Sequence, residues 1–555
     1  MKIALAQINP IVGDFEYNLK KILENINRAE KEGAELVIFS ELALCGYPPK
    51  DLLLKKQFIE DNKKYLNRLA TSIKKGIAVV VGFVEENKDK GRPLFDSLAL
   101  INDGSIICTR QKTLLPTYDV FDEDRYFEPA KEIKSADVLG KKIGLSVCED
   151  IWENDLAWTK PRYHIDPIGE LVKSKIDFLI NSSASPYYIG KPKLRESIIK
   201  NCAKKYKTPI FYINQVGGND ELIFDGNSCV VDKEGNVCLK LKSFEEDLKV
   251  TELNTNNQIV ASRDTPTTVP HNTDSEELLQ AMICGLNDYV TKCGFKKVII
   301  GLSGGIDSAL VATIASLALG KENVTCIFMP SRYTSKESED DAKKLISNLG
   351  IELKSISIEE PFQTFLNLLL PLWQSKDSSL AQENIQARIR GVILMALSNQ
   401  SKALLLSTGN KSELATGYCT LYGDMCGGLA VISDLPKSII YNLAKHLNQK
   451  FNKIIPENII TKAPTAELKP NQKDQDTLPP YDLLDKILNL YVEEHMPLNE
   501  IVKSGVSKEI AQRVCNMIDS SEYKRQQAAP GLKLTSTSFG YGWRMPIAQR
   551  YKEEA

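Results

Sequence analysis

The chain has 555 residues, 43% hydrophobic and 26% charged, with a formal net charge of −2, the balance of an ordinary globular enzyme. A charge so near zero offers no basic footprint for nucleic acid, and no stretch approaches the ~18 apolar residues of a membrane span. At ~150 residues per domain there is room for two to four domains.

The first residues, MKIALAQINP, run into an apolar strand pattern rather than the charged-then-apolar organisation of a leader, so a cytoplasmic protein is expected. Twelve cysteines are scattered with no C-x-x-C spacing, and the four histidines (His164, His271, His446, His495) stand at no metal-ligand spacing. That argues against a structural zinc site. The cysteines are expected to be reduced and mostly buried, with one left for chemistry.

In chain order, KIALAQ (2–7), ELVIFS (35–40), IAVVVGFV (77–84), SLALIN (97–102), IGLSVC (143–148), DFLINSS (177–183) and IFYINQ (210–215) read as strands. Amphipathic stretches such as YNLKKILENINRAEKEG (17–33) lie between some of them, which predicts α/β layers. Three reactive side chains follow the ends of apolar runs: Glu41, Lys112 and Cys148. Ligands of α/β sheets bind beyond the carboxyl ends of strands, so the three can converge in one crevice. There a thiolate attacks an amide carbonyl, a carboxylate moves protons and an ammonium stabilises the oxyanion. Lys112 is also expected to lower the thiol pKa by charge proximity. Taken singly, Cys148 also reads as a core cysteine, Glu41 as a helix-start acid and Lys112 as a surface charge.

Residues 255–277 lose periodicity and collect Thr, Asn and Pro, as a linker does. Domains of residues 1–265 and 266–555 are therefore predicted. In the second, VIIGLSGGIDSAL (298–310) reads as a buried strand, the turn SGGIDS, and the helix ALVATIASLAL (309–319). The strands VTCIFMP (324–330) and ALLLSTGN (403–410) continue a doubly wound, Rossmann-like parallel sheet. The glycines let backbone N–H groups approach an anion at a helix N-terminus. A kinase-type loop would end in Gly-Lys-Ser/Thr. Here Asp307 and Ser308 take that place, and a carboxylate suits Mg²⁺ on a pyrophosphate. The bland reading makes Asp307 and Ser308 simple helix caps.

SGGIDS resembles the pyrophosphate loop of the ATP pyrophosphatases, which release PPi and activate a substrate as its adenylate. MPSRYTSKESEDDA (329–342), AQENIQARIRG (381–391), LLSTGNKSELATGYCTLYGDMCGG (405–428) and SEYKRQQAAPGLKLT (521–535) resemble the glutamine-dependent NAD⁺ synthetases. That resemblance implies that Leu302, Ser303, Gly304, Gly305, Ile306, Asp307, Ser308, Ala309, Thr408, Lys437 and Thr465 bind ATP. It implies that Asn384, Arg388, Glu413 and Lys524 meet deamido-NAD⁺, with Asp307 and Glu413 on Mg²⁺. Residues 461–482, with turn residues and mixed charge, read as a flap over the nucleotide. Its KDQD (473–476) is less acidic than the family's usual run.

FSELALCGYPP (39–49), RQKTLLPTYDVFDE (110–123) and VCEDIW (147–152) resemble the Glu-Lys-Cys sites of the nitrilase superfamily. NSSASPYYIGK (181–191) resembles its glutamine-using branch. The resemblance implies a nitrilase-like α-β-β-α sandwich with Glu41, Lys112 and Cys148 as catalytic residues. Tyr118, Ser185 and Lys191 would contact L-glutamine, and Glu123 would be a second, orienting acid. Joined, the two halves imply ATP-dependent amidation of deamido-NAD⁺ with glutamine-derived ammonia, passed internally, in a cytoplasmic homo-oligomer that engages neither nucleic acid nor membrane. Asparagine synthetases differ in their N-terminal cysteine, where this chain has Lys2, and GMP synthetases in a Cys-His-Glu triad. An amidase with a nucleotide-sensing second half and a tRNA-modifying pyrophosphatase are the remaining alternatives. Intact Asp307, Glu413 and Lys524 oppose the former; the absence of a basic surface and of Cys pairs opposes the latter.

Overall fold

The structure, a computed structural model, describes residues 1–152, 160, 162–260, 274–373 and 379–553. The chain divides into two compact units, Met1–His271 and Asn272–Ala555. The predicted boundary at 265 lies outside the described residues, as does most of the predicted linker. The linker's first part is ordered differently from expectation: Ile259–Val260 forms an edge strand on Asp247–Leu253.

The first unit contains two large sheets and a two-stranded one, Val216–Asn219 with Leu222–Asp225. One orders Ile259–Val260, Asp247–Leu253, Lys2–Gln7, Leu36–Ile38, Ala78–Glu86, Leu94–Asn102 and Ser105–Gln111. The other orders Val237–Lys240, Cys229–Val231, Ile210–Asn214, Phe178–Ser183, Lys141–Val147 and Ala136–Val138. Side-chain alternation explains the layering. Ile3, Leu5, Leu36, Ile38, Val80 and Leu98 of the first sheet join Ile143, Leu145, Phe178, Ile180 and Phe211 of the second in one core. The intervening Ala4, Ala6, Val37, Val79 and Ala99 pack with Leu19, Ile22 and Ile26 of helix Phe15–Lys31 and with Leu66 and Leu69 of helix Lys56–Ser72. Leu179, Ile210 and Tyr212 cluster with Ile198, Ile199 and Cys202 of helix Lys191–Tyr206 on the far side. Both faces of each large sheet are covered, which is why its strands read as continuous apolar runs. This is the expected α-β-β-α sandwich.

The second unit holds a parallel sheet ordered Glu352–Ser355, Val324–Phe328, Val298–Leu302, Leu404–Ser407, Leu429–Ala430. Strand order reverses between Val298–Leu302 and Leu404–Ser407. That switch point opens a crevice at their carboxyl ends, where α/β proteins bind ligands. The helix after the Gly-rich loop spans Ile306–Leu319. The predicted turn SGGIDS therefore shrinks to Ser303–Gly305, because Asp307 and Ser308 already occupy the first helical turn.

Candidate active sites

In the first unit, Glu41, Lys112 and Cys148 each stand just past a strand, as their spacing predicts. Leu36–Ile38 and Ala78–Glu86 run parallel; two antiparallel steps through Leu94–Asn102 then bring Ser105–Gln111 back to the same direction. Glu41 and Lys112 thus emerge at one end of that sheet. The turn carrying Glu41 needs a glycine beneath it: a Cβ on Gly82 would lie 2.1 Å from Leu42 N and 2.6 Å from the Glu41 carbonyl carbon. Cys148 sits on a sharp turn with φ +38°, a conformation costing on the order of 1–3 kcal/mol that tertiary contacts must hold. Asp150 supplies the hold. Its carboxylate accepts Val147 N at 3.0 Å, Thr113 N at 3.0 Å and Leu114 N at 2.9 Å, tying the cysteine turn to the segment after Lys112.

The Lys112 ammonium, fully buried, donates to Glu41 Oε1 at 2.6 Å and lies 2.7 Å from Glu123 Oε2. Glu41 Oε2 accepts Ala184 N at 2.6 Å, and Glu123 Oε1 accepts the Tyr47 hydroxyl at 2.8 Å. Carboxylate oxygens of Glu41, Asp96 and Glu123 lie within 4.8 Å of one another, and Lys112 is the cation that this acidic cluster surrounds. Burial pushes the Cys148 thiol well above its ordinary value, and Glu41 adds to the rise. Lys112 opposes it, as expected from the sequence, but loses to burial. The expectation of a lowered thiol pKa is therefore corrected: Cys148 is held as a thiol and needs a base. Glu123, as anticipated for a second acid, touches Lys112; burial raises it to about 7.

Of the implied glutamine contacts, Tyr118 donates from its hydroxyl to Glu149 at 3.0 Å. Ser185 is buried, its N–H bonded to Asn214 Oδ1 at 2.8 Å. The Lys191 ammonium lies over the rings of Tyr188, Trp152 and Phe121 at 5.2, 5.3 and 5.8 Å. Sequence reasoning missed Glu149. Its buried carboxylate also accepts the Tyr163 hydroxyl at 2.7 Å, and burial raises it to about 7. A charged residue directly after the nucleophile was the available signal.

In the second unit, the switch-point crevice is a cavity of about 300 Å³. Leu302, Ser303, Gly304, Gly305, Ile306, Asp307, Ser308, Thr408, Glu413, Lys437 and Thr465 line it. Ala309 does not; it is wholly buried in the helix. Gly304 has φ +81°, and a Cβ there would meet Ser338 O at 2.3 Å, so two separate constraints demand glycine. Helix Ile306–Leu319 has no side-chain cap hydrogen bond at Gly305, which suits an anion. Asp307 does not cap it. Its Oδ1 accepts Asn410 Nδ2 at 3.1 Å and its Oδ2 accepts the Lys437 ammonium at 2.5 Å. Lys437 also lies 3.6 Å from Glu413 Oε1. Burial, then Asp307, raises Glu413 to about 8.

Asn384, Arg388 and Lys524 stand outside the cavity wall but share a neighbour, the segment Gly417–Leu421. Asn384 Oδ1 accepts the Thr420 hydroxyl at 3.0 Å, and Arg388 Nε donates to Leu421 O at 3.2 Å. The Lys524 ammonium donates to Gly417 O and Cys419 O at 2.6 and 2.7 Å. Tyr418 and Cys419 of that segment line the cavity, so the two sets adjoin. Sequence reasoning missed Arg390, which lines the cavity with Ala387, Gly391 and Leu394. Their i, i+3, i+4 and i+7 spacing marks one face of helix Ser379–Ser401, which adjoins that of Asn384 and Arg388. The predicted flap lies on the cavity through Lys462, Thr465, Glu467 and Asp474. Glu467 accepts the Ser335 and Ser338 hydroxyls, both at 2.8 Å, and fastens it.

Two family models match the chain: carbon-nitrogen hydrolase over residues 2–258 and NAD synthase over residues 278–528. A glutamine-dependent NAD(+) synthetase of Synechocystis sp. is 47% identical, covering 99% of both chains. Its Thermotoga maritima counterpart is 44% identical, covering 100% of this chain and 99% of that one. A solved glutamine-dependent NAD⁺ synthetase from Acinetobacter baumannii, in complex with ADP, superposes with a TM-score of 0.77 at 38% identity, covering 98% of each chain. With both domain families present and relatives matched over their whole length, the chain belongs to the glutamine-dependent NAD⁺ synthetases, the enzymes of the last step of NAD⁺ biosynthesis.

Proposed function

We propose that the two clusters divide that reaction between them, with Glu41–Lys112–Cys148 releasing ammonia from glutamine and the switch-point cavity activating deamido-NAD⁺. The observation that carries this reading is the buried Lys112 ammonium, shared by Glu41 and Glu123 beside the buried Cys148. Glu41 takes the thiol proton as sulfur attacks the glutamine amide carbonyl. Lys112 stabilises the oxyanion with its remaining N–H, and Glu41 returns the proton to the departing ammonia. Water then cleaves the thioester to glutamate. Lys191, with Tyr118 and Ser185, holds the substrate's polar ends; Glu149, close enough for Lys191 to act on its charge, suits the α-ammonium.

In the second unit, the first-turn N–H groups of helix Ile306–Leu319 and the ammonium of Lys437 suit a triphosphate, while Thr408 and Thr465 offer hydroxyls. Asp307 and Glu413 fit Mg²⁺: two hard carboxylates approach the same Lys437 nitrogen, at 2.5 and 3.6 Å, on the wall of the cavity. The ion would neutralise charge on departing pyrophosphate. No lysine of the kinase type grips the β,γ-phosphates, because they leave together. The nicotinate carboxylate of deamido-NAD⁺, held by Asn384, Arg388 and Lys524, attacks the α-phosphorus; ammonia then displaces AMP and forms the amide. Homo-oligomeric assembly and cytoplasmic residence belong to the same reading. No helix among the described residues is long and apolar enough to cross a membrane.

The nucleotide product tests it. With deamido-NAD⁺, Mg-ATP and glutamine, AMP, PPi, glutamate and NAD⁺ are expected in equal amounts. ADP and phosphate, or NAD⁺ without ATP consumption, would reject the cavity's assigned role.

A further inference from the structure

The glutaminase cluster contains one group that its mechanism leaves unused. Asp96 projects from strand Leu94–Asn102, fully buried, and among the described residues neither of its carboxyl oxygens has a hydrogen-bond partner. Its backbone is engaged, with Asp96 O accepting Lys112 N at 2.8 Å. The groups facing its side chain are Glu41, Glu123 and Lys112, with the Cys45 thiol also within reach of its charge. Lys112 already serves Glu41 at 2.6 Å and Glu123 at 2.7 Å, and stays 3.8 Å from Asp96.

Three ionised carboxylates around one ammonium would leave two buried negative charges uncompensated. A buried charge without partners is far costlier than a neutral, hydrogen-bonded acid. Of the three, Glu41 has two donors, Lys112 Nζ and Ala184 N, and Glu123 also has two, Lys112 Nζ and the Tyr47 hydroxyl. Asp96 has none. It is the member with no hydrogen-bond donor to stabilise an anion and with Lys112 farthest away, at 3.8 Å, and a proton converts it from an acceptor without donors into a donor beside acceptors.

Resting on the glutaminase reading above, we propose that Asp96 is a positioning residue that works as a neutral acid, holding a proton and donating it in a hydrogen bond to Glu41. Burial and the neighbouring Glu41 charge both push the Asp96 carboxyl well above the usual carboxylate range, in the same direction. Two consequences follow for the chemistry. Glu41 is fixed from a third side and made less basic, which favours return of the proton to ammonia. Lys112 also keeps its third N–H for the oxyanion, where an ionised Asp96 would draw it away.

Asparagine and leucine separate this role from a structural one. Asp96→Asn supplies a permanent N–H donor in nearly the same volume, whereas Asp96→Leu fills the space and donates nothing. In the full chain with deamido-NAD⁺ and Mg-ATP, Asp96→Asn should retain glutamine-driven kcat within about twofold. Asp96→Leu should lose roughly 10- to 100-fold in kcat, the worth of a hydrogen bond to a charged group, with KM for glutamine little changed. Ammonium-driven synthesis should persist in both, which checks folding. An infrared difference spectrum of the unsubstituted protein against Asp96→Asn should show the C=O stretch of a protonated carboxyl. Loss of glutamine-driven turnover in Asp96→Asn with the ammonium rate intact would mean that an ionised carboxylate is needed, and overturns the proposal. So would full activity in Asp96→Leu, or a carboxylate band in the spectrum. Cys148→Ala run alongside isolates the underlying reading: if it kept glutamine-driven activity, the glutaminase assignment itself would fail, whatever Asp96 did.

Discussion

Cys148→Ala abolishes glutamine-driven NAD⁺ formation, by ~10⁴-fold or more as for other deleted nucleophiles, and leaves synthesis from added ammonium salt near its original rate. Asp150 holds the turn through backbone N–H groups of Val147, Thr113 and Leu114, none of which needs the thiol. The thiol is small and buried, so alanine removes one sulfur without opening the fold. The variant's residual activity is read as NAD⁺ formed with glutamine and with ammonium, side by side. Loss of both in a folded protein would mean that the two chemistries share one site.

Asp307→Asn has the opposite pattern, crippling the reaction with either nitrogen source. The carboxylate joins the Lys437 ammonium at 2.5 Å, with Glu413 3.6 Å from the same nitrogen. It stands at the head of the helix that follows the Gly-rich loop. Its amide analogue keeps the shape and the bond with Asn410, but forfeits the charge for both Lys437 and a divalent cation. Charge neutralisation on a leaving pyrophosphate is worth several kcal/mol, hence roughly 10³-fold or more in rate. Glutamine hydrolysis assayed alone should continue. Near-normal NAD⁺ synthesis would reduce Asp307 to a residue of the helix start.

Much of this was legible because strand ends are legible. Glu41, Lys112 and Cys148 each follow an apolar run, and the Gly-rich loop follows VIIGL, so their convergence could be read before any coordinates. The sandwich itself needed the resemblance, since runs buried on both faces carry no alternation to show which side meets a helix and which a second sheet. Asp96 was invisible for the same reason: LFDSLALIN reads as an ordinary strand, and nothing local says that its third residue faces an ammonium. On helix Ser379–Ser401, Arg388 and Arg390 are two residues apart and about 200° apart around the axis, so the cavity-facing arginine was the one passed over. The thiol's charge state also escaped. Lys112 does lower it, but burial, which a sequence does not measure, decides the net direction.

Activation of the nicotinate carboxylate as an adenylate in the cavity, before ammonia arrives, is tested most directly with oxygen. Deamido-NAD⁺ labelled with ¹⁸O in that carboxylate is turned over with Mg-ATP and glutamine, and the AMP is read by mass spectrometry. When the carboxylate attacks the α-phosphorus and ammonia later displaces AMP, one labelled oxygen must leave with the phosphate. Transfer of one ¹⁸O to each AMP is the predicted result; unlabelled AMP, with the label in the pyrophosphate or in water, would contradict it.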